Sequence, residues 1–255
     1  MKPLLLLGVA ALLAGPRPEA RTQAPLNDRD LADIGINRPF SALNLNRSTA
    51  ASRAAAEAEA AHPEHYLSPD WAPGVVLALA GRPQPVPGLR YNMVRHWLEV
   101  HDPAVPGGLR VLPVGSIGGF DVIGANGQVE AQFGAYPGPG RDGRLFFQEL
   151  TAPGPVRLLL RHEVELIAPV RNIALGVNLQ PGYEHHYTQL YALAPGRAGA
   201  HPLPLTEKAV LKLFGPQAGP MAAYAAQHQL RYSALPDLVQ LVEEHNRTAP
   251  GPAAR

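Results

Sequence analysis

"YEHHYTQLYAL", residues 183–193, places two histidines, a glutamate and three tyrosines in eleven positions. The stretch is either a metal or catalytic patch or a plain β-strand, and the choice decides the fold. In a strand, successive side chains point to opposite faces. Tyr183, His185, Tyr187, Gln189 and Tyr191 then share one face, and Glu184, His186, Thr188 and Leu190 share the other. A metal pair on a strand needs His-x-His, and on a helix it needs i, i+4 spacing. Adjacent histidines supply neither, so the strand reading wins. Its tyrosine-rich, partly wet face makes Tyr183, His185, Tyr187 and Tyr191 the candidate ligand-binding residues, with no catalytic residue, metal ligand or cofactor assigned.

The segments before this strand read the same way. Residues 74–80, 86–92, 97–100 and 109–114 are short apolar or alternating runs between Gly and Pro clusters, the signature of antiparallel strands. In "FDVIGANGQVEAQF" the pair Asn126-Gly127 suits a two-residue type I′ turn, so 120–123 should pair with 128–133. Strands over 144–151 and 156–166 follow, giving roughly eight strands in an antiparallel meander or open barrel. After Pro204 the pattern changes to helical spacing. Thr206 caps a helix carrying Val210, Leu211, Leu213 and Phe214. A second helix presents Met221, Tyr224 and Ala225, and a third presents Leu235, Leu238, Val239 and Val242. The expected fold is mainly β with a small C-terminal helical cap, α+β overall. The divisions are a leader at 1–24, a polar Ala-rich arm or linker at 25–65, the β domain at 66–205, the cap at 206–247 and a disordered tail at 248–255.

Composition narrows the function. Charge is balanced, 22 Lys+Arg against 21 Asp+Glu, so no basic face is available for nucleic acid. The 28 Pro and 25 Gly residues weigh against long helices and long uninterrupted strands over most of the chain. Lys2, the apolar run 4–14 and the polar stretch "GPRPEARTQA" match a secretory leader, with Ala14, Ala20 and Ala24 as candidate cleavage residues. No later run is long and apolar enough for a transmembrane helix, so the mature chain should carry none. The absence of cysteine excludes disulfides, thiol nucleophiles and thiolate zinc sites. Within the arm, "STAASRAAAEAEAAH" has helix propensity with Ser48 or Thr49 as N-cap, and an apolar face made only of alanine.

The remaining motifs favour structural roles. "HPEHY" sets His62 and His65 three apart across a proline, two ligands without a fixed frame. "RHEVEL" puts His162 opposite Glu163 and Glu165 on a strand. "GPGRDG", 138–143, matches G-x-G-x-x-G but is followed by a strand, so it reads as a hairpin loop rather than a dinucleotide site. "VGSIGG" lacks the first glycine of a nucleophile elbow, which leaves Ser116 in a turn. Trp71 and Trp97 read as anchors rather than a sugar platform.

"WAPGVVLALAGRPQPVPGLRYN", "WLEV", "FFQELTAPGPVRLLLR", "KAVLKLFG" and "LPDLVQLVEEHN" together resemble a family of uncharacterised exported bacterial proteins, over roughly 71–246. The resemblance implies export and a β-rich domain ended by a helical segment, and it brings no activity with it. The expected function is an exported, periplasmic or outer-membrane-associated binding or structural module, its partner an unknown small ligand or an envelope protein. The alternatives are a cell-envelope hydrolase using a His/carboxylate pair from distant strands, and a subunit of an envelope assembly docking through the helices.

Overall fold

A computed structural model describes residues 49–79, 82–139, 143–172, 177–180 and 182–249. The chain is mainly an open antiparallel sheet of ten strands with a few C-terminal helices. Among the described residues helix α1 (Ala50–Glu59) comes first, capped by the Thr49 hydroxyl, which accepts from the Ser52 amide at 3.1 Å. A 3₁₀ turn (Pro63–His65) leads to β1 (Ala72–Ala78), β2 (Gln84–Asn92), β3 (Trp97–His101), β4 (Leu109–Pro113), β5 (Ile117–Ile123) and β6 (Val129–Pro137). Then come β7 (Arg144–Glu149), β8 (Arg157–Ile167), β9 (Val170–Asn172), β10 (Val177–Gln180), β11 (Tyr183–Leu193) and β12 (His201–Pro202). The chain closes with α2 (Glu207–Leu211), α3 (Ala218–Gln227) and α4 (Leu235–Thr248).

The sheet runs β12-β11-β8-β7-β6-β5-β1-β2-β3-β4, and β9–β10 form a separate two-stranded ribbon between β8 and β11. Strand β1 sits in the middle because β5 returns from the β4 edge to pair with it. The Asn126-Gly127 turn differs from the type I′ expectation. Among the described residues only Gly127 of that pair has positive φ, at 72°, and it closes onto the Gly124 carbonyl. Asn126 Oδ1 instead accepts from the Gln128 amide at 3.0 Å, a local bond that holds the asparagine in an ordinary conformation.

Three clusters of buried residues form on the sheet, two of them large. On β5 and β6, register pairs Phe120 with Phe133, whose rings stack at 4.6 Å and 8°. Phe146 and Tyr91 meet this pair edge-on or tilted, which is the arrangement aromatic quadrupoles favour. Gly119 lets β5 and β6 close here, since a Cβ would collide with the Phe133 carbonyl. Val164 of β8 packs on the same cluster, so the far half of that strand folds over the aromatic interior.

The second core joins the helices to the proximal ends of β8 and β11. Val210, Phe214, Met221, Ala225, Leu238, Leu241 and Val242 pack against Val156, Leu158, Ala192 and Leu203. Asn246 fastens α4 as a neighbouring strand would: its Oδ1 accepts from the Val156 amide at 3.0 Å and its Nδ2 donates to the Val156 carbonyl at 2.7 Å. The apolar stripes of the cap are therefore spent on the sheet. The large exposed apolar residues of the described chain include Leu166, Val170, Tyr183 and Tyr187 at the far end of the β8–β11 hairpin, and none on α2–α4.

Helix α1 is docked rather than free, because Ala56 and Glu59 are both buried. An alanine face lets the helix approach β4 closely, and its last residue carries a carboxylate inward. No helix among the described residues is long and apolar enough to cross a membrane.

Candidate functional site

Beyond Leu160, β8 parts from β7, whose Arg144–Phe147 stretch goes on pairing with β6, and before Tyr191, β11 outruns β12. The distal hairpin is thus a two-stranded ribbon whose two faces carry different chemistry. Its register sets Tyr183 opposite Ile167, His185 opposite Glu165, Tyr187 opposite Glu163 and Gln189 opposite Arg161. On this outer face Tyr183 is 59% exposed and Tyr187 37%. The His185 and Tyr187 rings stack at 5.4 Å. Tyr187 donates to Glu163, which also pairs with Arg161. The hydrogen bond to that carboxylate, with help from burial, pushes the Tyr187 hydroxyl up to about 12, so it remains a neutral donor.

Three of the four expected residues thus share one accessible surface. Tyr191 has the same parity but is only 3% exposed, its ring edge-on to Phe147 at 5.0 Å. The connection to β12 returns over it, with Ala200 in the same cluster.

The inner face of the ribbon meets the other end of the chain. Glu184 accepts from His65 Nε2 at 3.2 Å across 119 residues of sequence. His65 is 6% exposed, and its Nδ1 bonds Glu59 at 2.6 Å. Arg95 adds a 2.6 Å bond to Glu59, and Asn92 a longer one at 3.4 Å. His186 stands 3.5 Å from Glu184. Pairing fixes the histidine: the Met93 amide donates to the His65 carbonyl at 2.8 Å, and Tyr66 bridges Asn92 at the end of β2. Burial pushes the Glu59 carboxyl up, but bonds from His65, Arg95 and Asn92 outweigh it and hold the group below the usual range. Burial likewise pushes His65 down, and its two carboxylate neighbours more than reverse this, favouring the imidazolium.

Sequence reading assigned no role to Glu59, His65, Glu184 or His186. The signal available was the parity of β11, which sends Glu184 and His186 to the face opposite the tyrosines. The meeting with His65 is the kind of His–carboxylate pair the hydrolase alternative invokes. Here, though, both ring nitrogens already hold carboxylates, which leaves neither positioned to take a proton from a substrate.

The other motifs fall into structural roles. Ser116 donates to the Pro113 carbonyl at 2.7 Å within a turn. Gly138 and Gly143 pair across the β6–β7 loop at 3.1 Å. His162 bonds Gln148 at 2.7 Å, and burial pushes its imidazole down to about 4. Buried Glu99 accepts from Tyr66, Trp97 Nε1 and Arg90, while the Arg90 guanidinium lies between the Tyr66 and Trp71 rings at 4.2 and 4.4 Å. Both tryptophans are therefore committed. Trp71 and His101 stack at 3.8 Å on the wall of an open depression of about 570 Å³.

No protein-family model matches the chain, and no curated protein or solved structure is significantly similar to it.

Proposed function

We propose that the protein is an exported binding module that reads its ligand with the outer face of the distal β8–β11 ribbon. The observation that carries this reading is the stacked His185–Tyr187 pair lying opposite Glu165 and Glu163, with Tyr183 continuing the row. Aromatic faces attract cations, and the Glu165 carboxylate adds to the attraction, Glu163 being already paired with Arg161. Such a surface suits a partner that offers lysine or arginine side chains, and a basic segment of an envelope protein has that chemistry. The ladder to β8 holds the rings in place before binding, which reduces the ordering cost of association.

The test is a titration of the full chain with a tetra-arginine peptide, followed through the ring NMR signals of Tyr183, His185 and Tyr187. These signals should move together, and the effect should weaken with salt. The double substitution His185→Ala/Tyr187→Ala should abolish the response while leaving the unfolding midpoint unchanged. Unmoved ring signals in the parent protein would sink the reading. Export rests on Lys2 and the apolar run 4–14. Expression in a diderm bacterial host should deliver a periplasmic species lacking the leader, and full-length protein confined to the cytosol would refute it.

A further inference from the structure

The turn at His62–Pro63–Glu64–His65 places three metal-type ligands together: one donor atom from each of His62, Glu64 and His65 lies within 4.8 Å of the others. The reason is local. In a 3₁₀ turn the side chains at i and i+3 eclipse one another. The His65 amide closes this turn on the His62 carbonyl at 3.0 Å, and the two rings stack at 4.7 Å. Pro63 fixes the entry to the turn.

The frame that two loop histidines lack in sequence is supplied by the fold. His65 is buried and its Nδ1 is held by Glu59 at 2.6 Å. A ring fixed at one nitrogen by a carboxylate is the arrangement that orients a histidine toward a metal through its other nitrogen. That other nitrogen, Nε2, stands 3.2 Å from Glu184 Oε1, and His62 Nδ1 stands 3.1 Å from Glu64 Oε1. Bonds of about 2.0–2.2 Å to a tetrahedral zinc ion separate neighbouring ligands by roughly 3.3 Å. The His62–Glu64 gap matches that span.

We infer that His62, Glu64 and His65 form a site for a zinc-class divalent transition metal, with water completing the coordination and Glu59 orienting His65. The ion takes the place of the proton shared by His65 Nε2 and Glu184, so binding releases a proton to solvent. His62, 54% exposed at its side chain, turns out of its stack to bring a lone pair to the ion. The site lies in the turn before β1 and is independent of the outer-face reading.

Metal-free full-length protein is titrated with zinc chloride by calorimetry, and cobalt(II) serves as a spectroscopic stand-in. One ion per chain should bind, with the intense visible absorption of four-coordinate cobalt and a rise in melting temperature. His62→Ala and Glu64→Gln are exposed substitutions that leave folding intact, and each should weaken zinc binding by roughly tenfold or more. His228→Ala, at the C-cap of α3, should change nothing. Failure to bind zinc at millimolar concentration, or zinc affinity indifferent to His62→Ala and Glu64→Gln, would overturn the site. A weak six-coordinate cobalt spectrum would overturn it too.

Discussion

The two ends of the β8–β11 hairpin belong to the same pair of strands and keep one unbroken register, yet one end is core and the other is surface. At the proximal end Leu158, Leu159, Tyr191 and Ala192 are buried on both faces, by the helices on one side and by Phe147 and Ala200 on the other. At the distal end Leu166 is 55% exposed, and the side chains make polar pairs such as Tyr187–Glu163 and Glu184–His65. Alternation decides which way a side chain points, while the neighbours of the strand decide whether anything covers it. A strand that leaves its neighbours changes from scaffold to surface without any change in its own pattern.

The largest expected effect lies at the proximal end. Tyr191→Ala empties a ring-sized space beside Phe147 and should cost roughly 3–5 kcal/mol, read from the urea unfolding midpoint. A loss as small as that of a surface change would mean that the end is not core.

His162 marks the border between the two regions, and its effect depends on pH. Its imidazole titrates near 4 when folded against an ordinary value of 6.5. The unfolded chain therefore binds more protons between these values, and stability is lost as pH falls through that window. The full loss is about 3 kcal/mol. Unfolding curves from pH 7 to pH 4 should show it, and His162→Gln should flatten the slope. An unaltered slope in the variant would assign the pH dependence to other groups.

The smallest effect belongs to the tip. Tyr183→Ser should change stability by no more than about 0.5 kcal/mol, because the residue is mostly exposed. A larger loss would show that the tip is folded against something, and the distinction between the two ends would blur.

Much of the architecture could be read from the residues themselves. The alternating runs, the Pro and Gly punctuation and the 3.6-residue spacing after Pro204 marked the main-sheet strands other than β12, and all three terminal helices, within a few residues. The parity argument separated His185 from His186 correctly. Coverage was not legible: Tyr183 and Tyr191 look alike in an alternating strand and differ only in what returns over them. Nor could local pattern show that β5 pairs with β1, or that Glu184 meets His65, since both are encounters between distant parts of the chain. An alanine stripe reads as a weak core, and the inward carboxylate at its end, Glu59, acquires meaning only beside His65 and Arg95.

The central place of β1 has a consequence for synthesis. As the chain emerges from the ribosome, β1 to β4 can assemble at once as a meander, but the second edge of β1 stays unpaired until β5 is made. During that interval Val75, Val76 and Leu77 lie on an open edge able to template pairing with another chain. A ribosome stalled between β4 and β5 would release a species prone to aggregate, whereas a few more residues of translation would bury the same edge in the middle of the sheet.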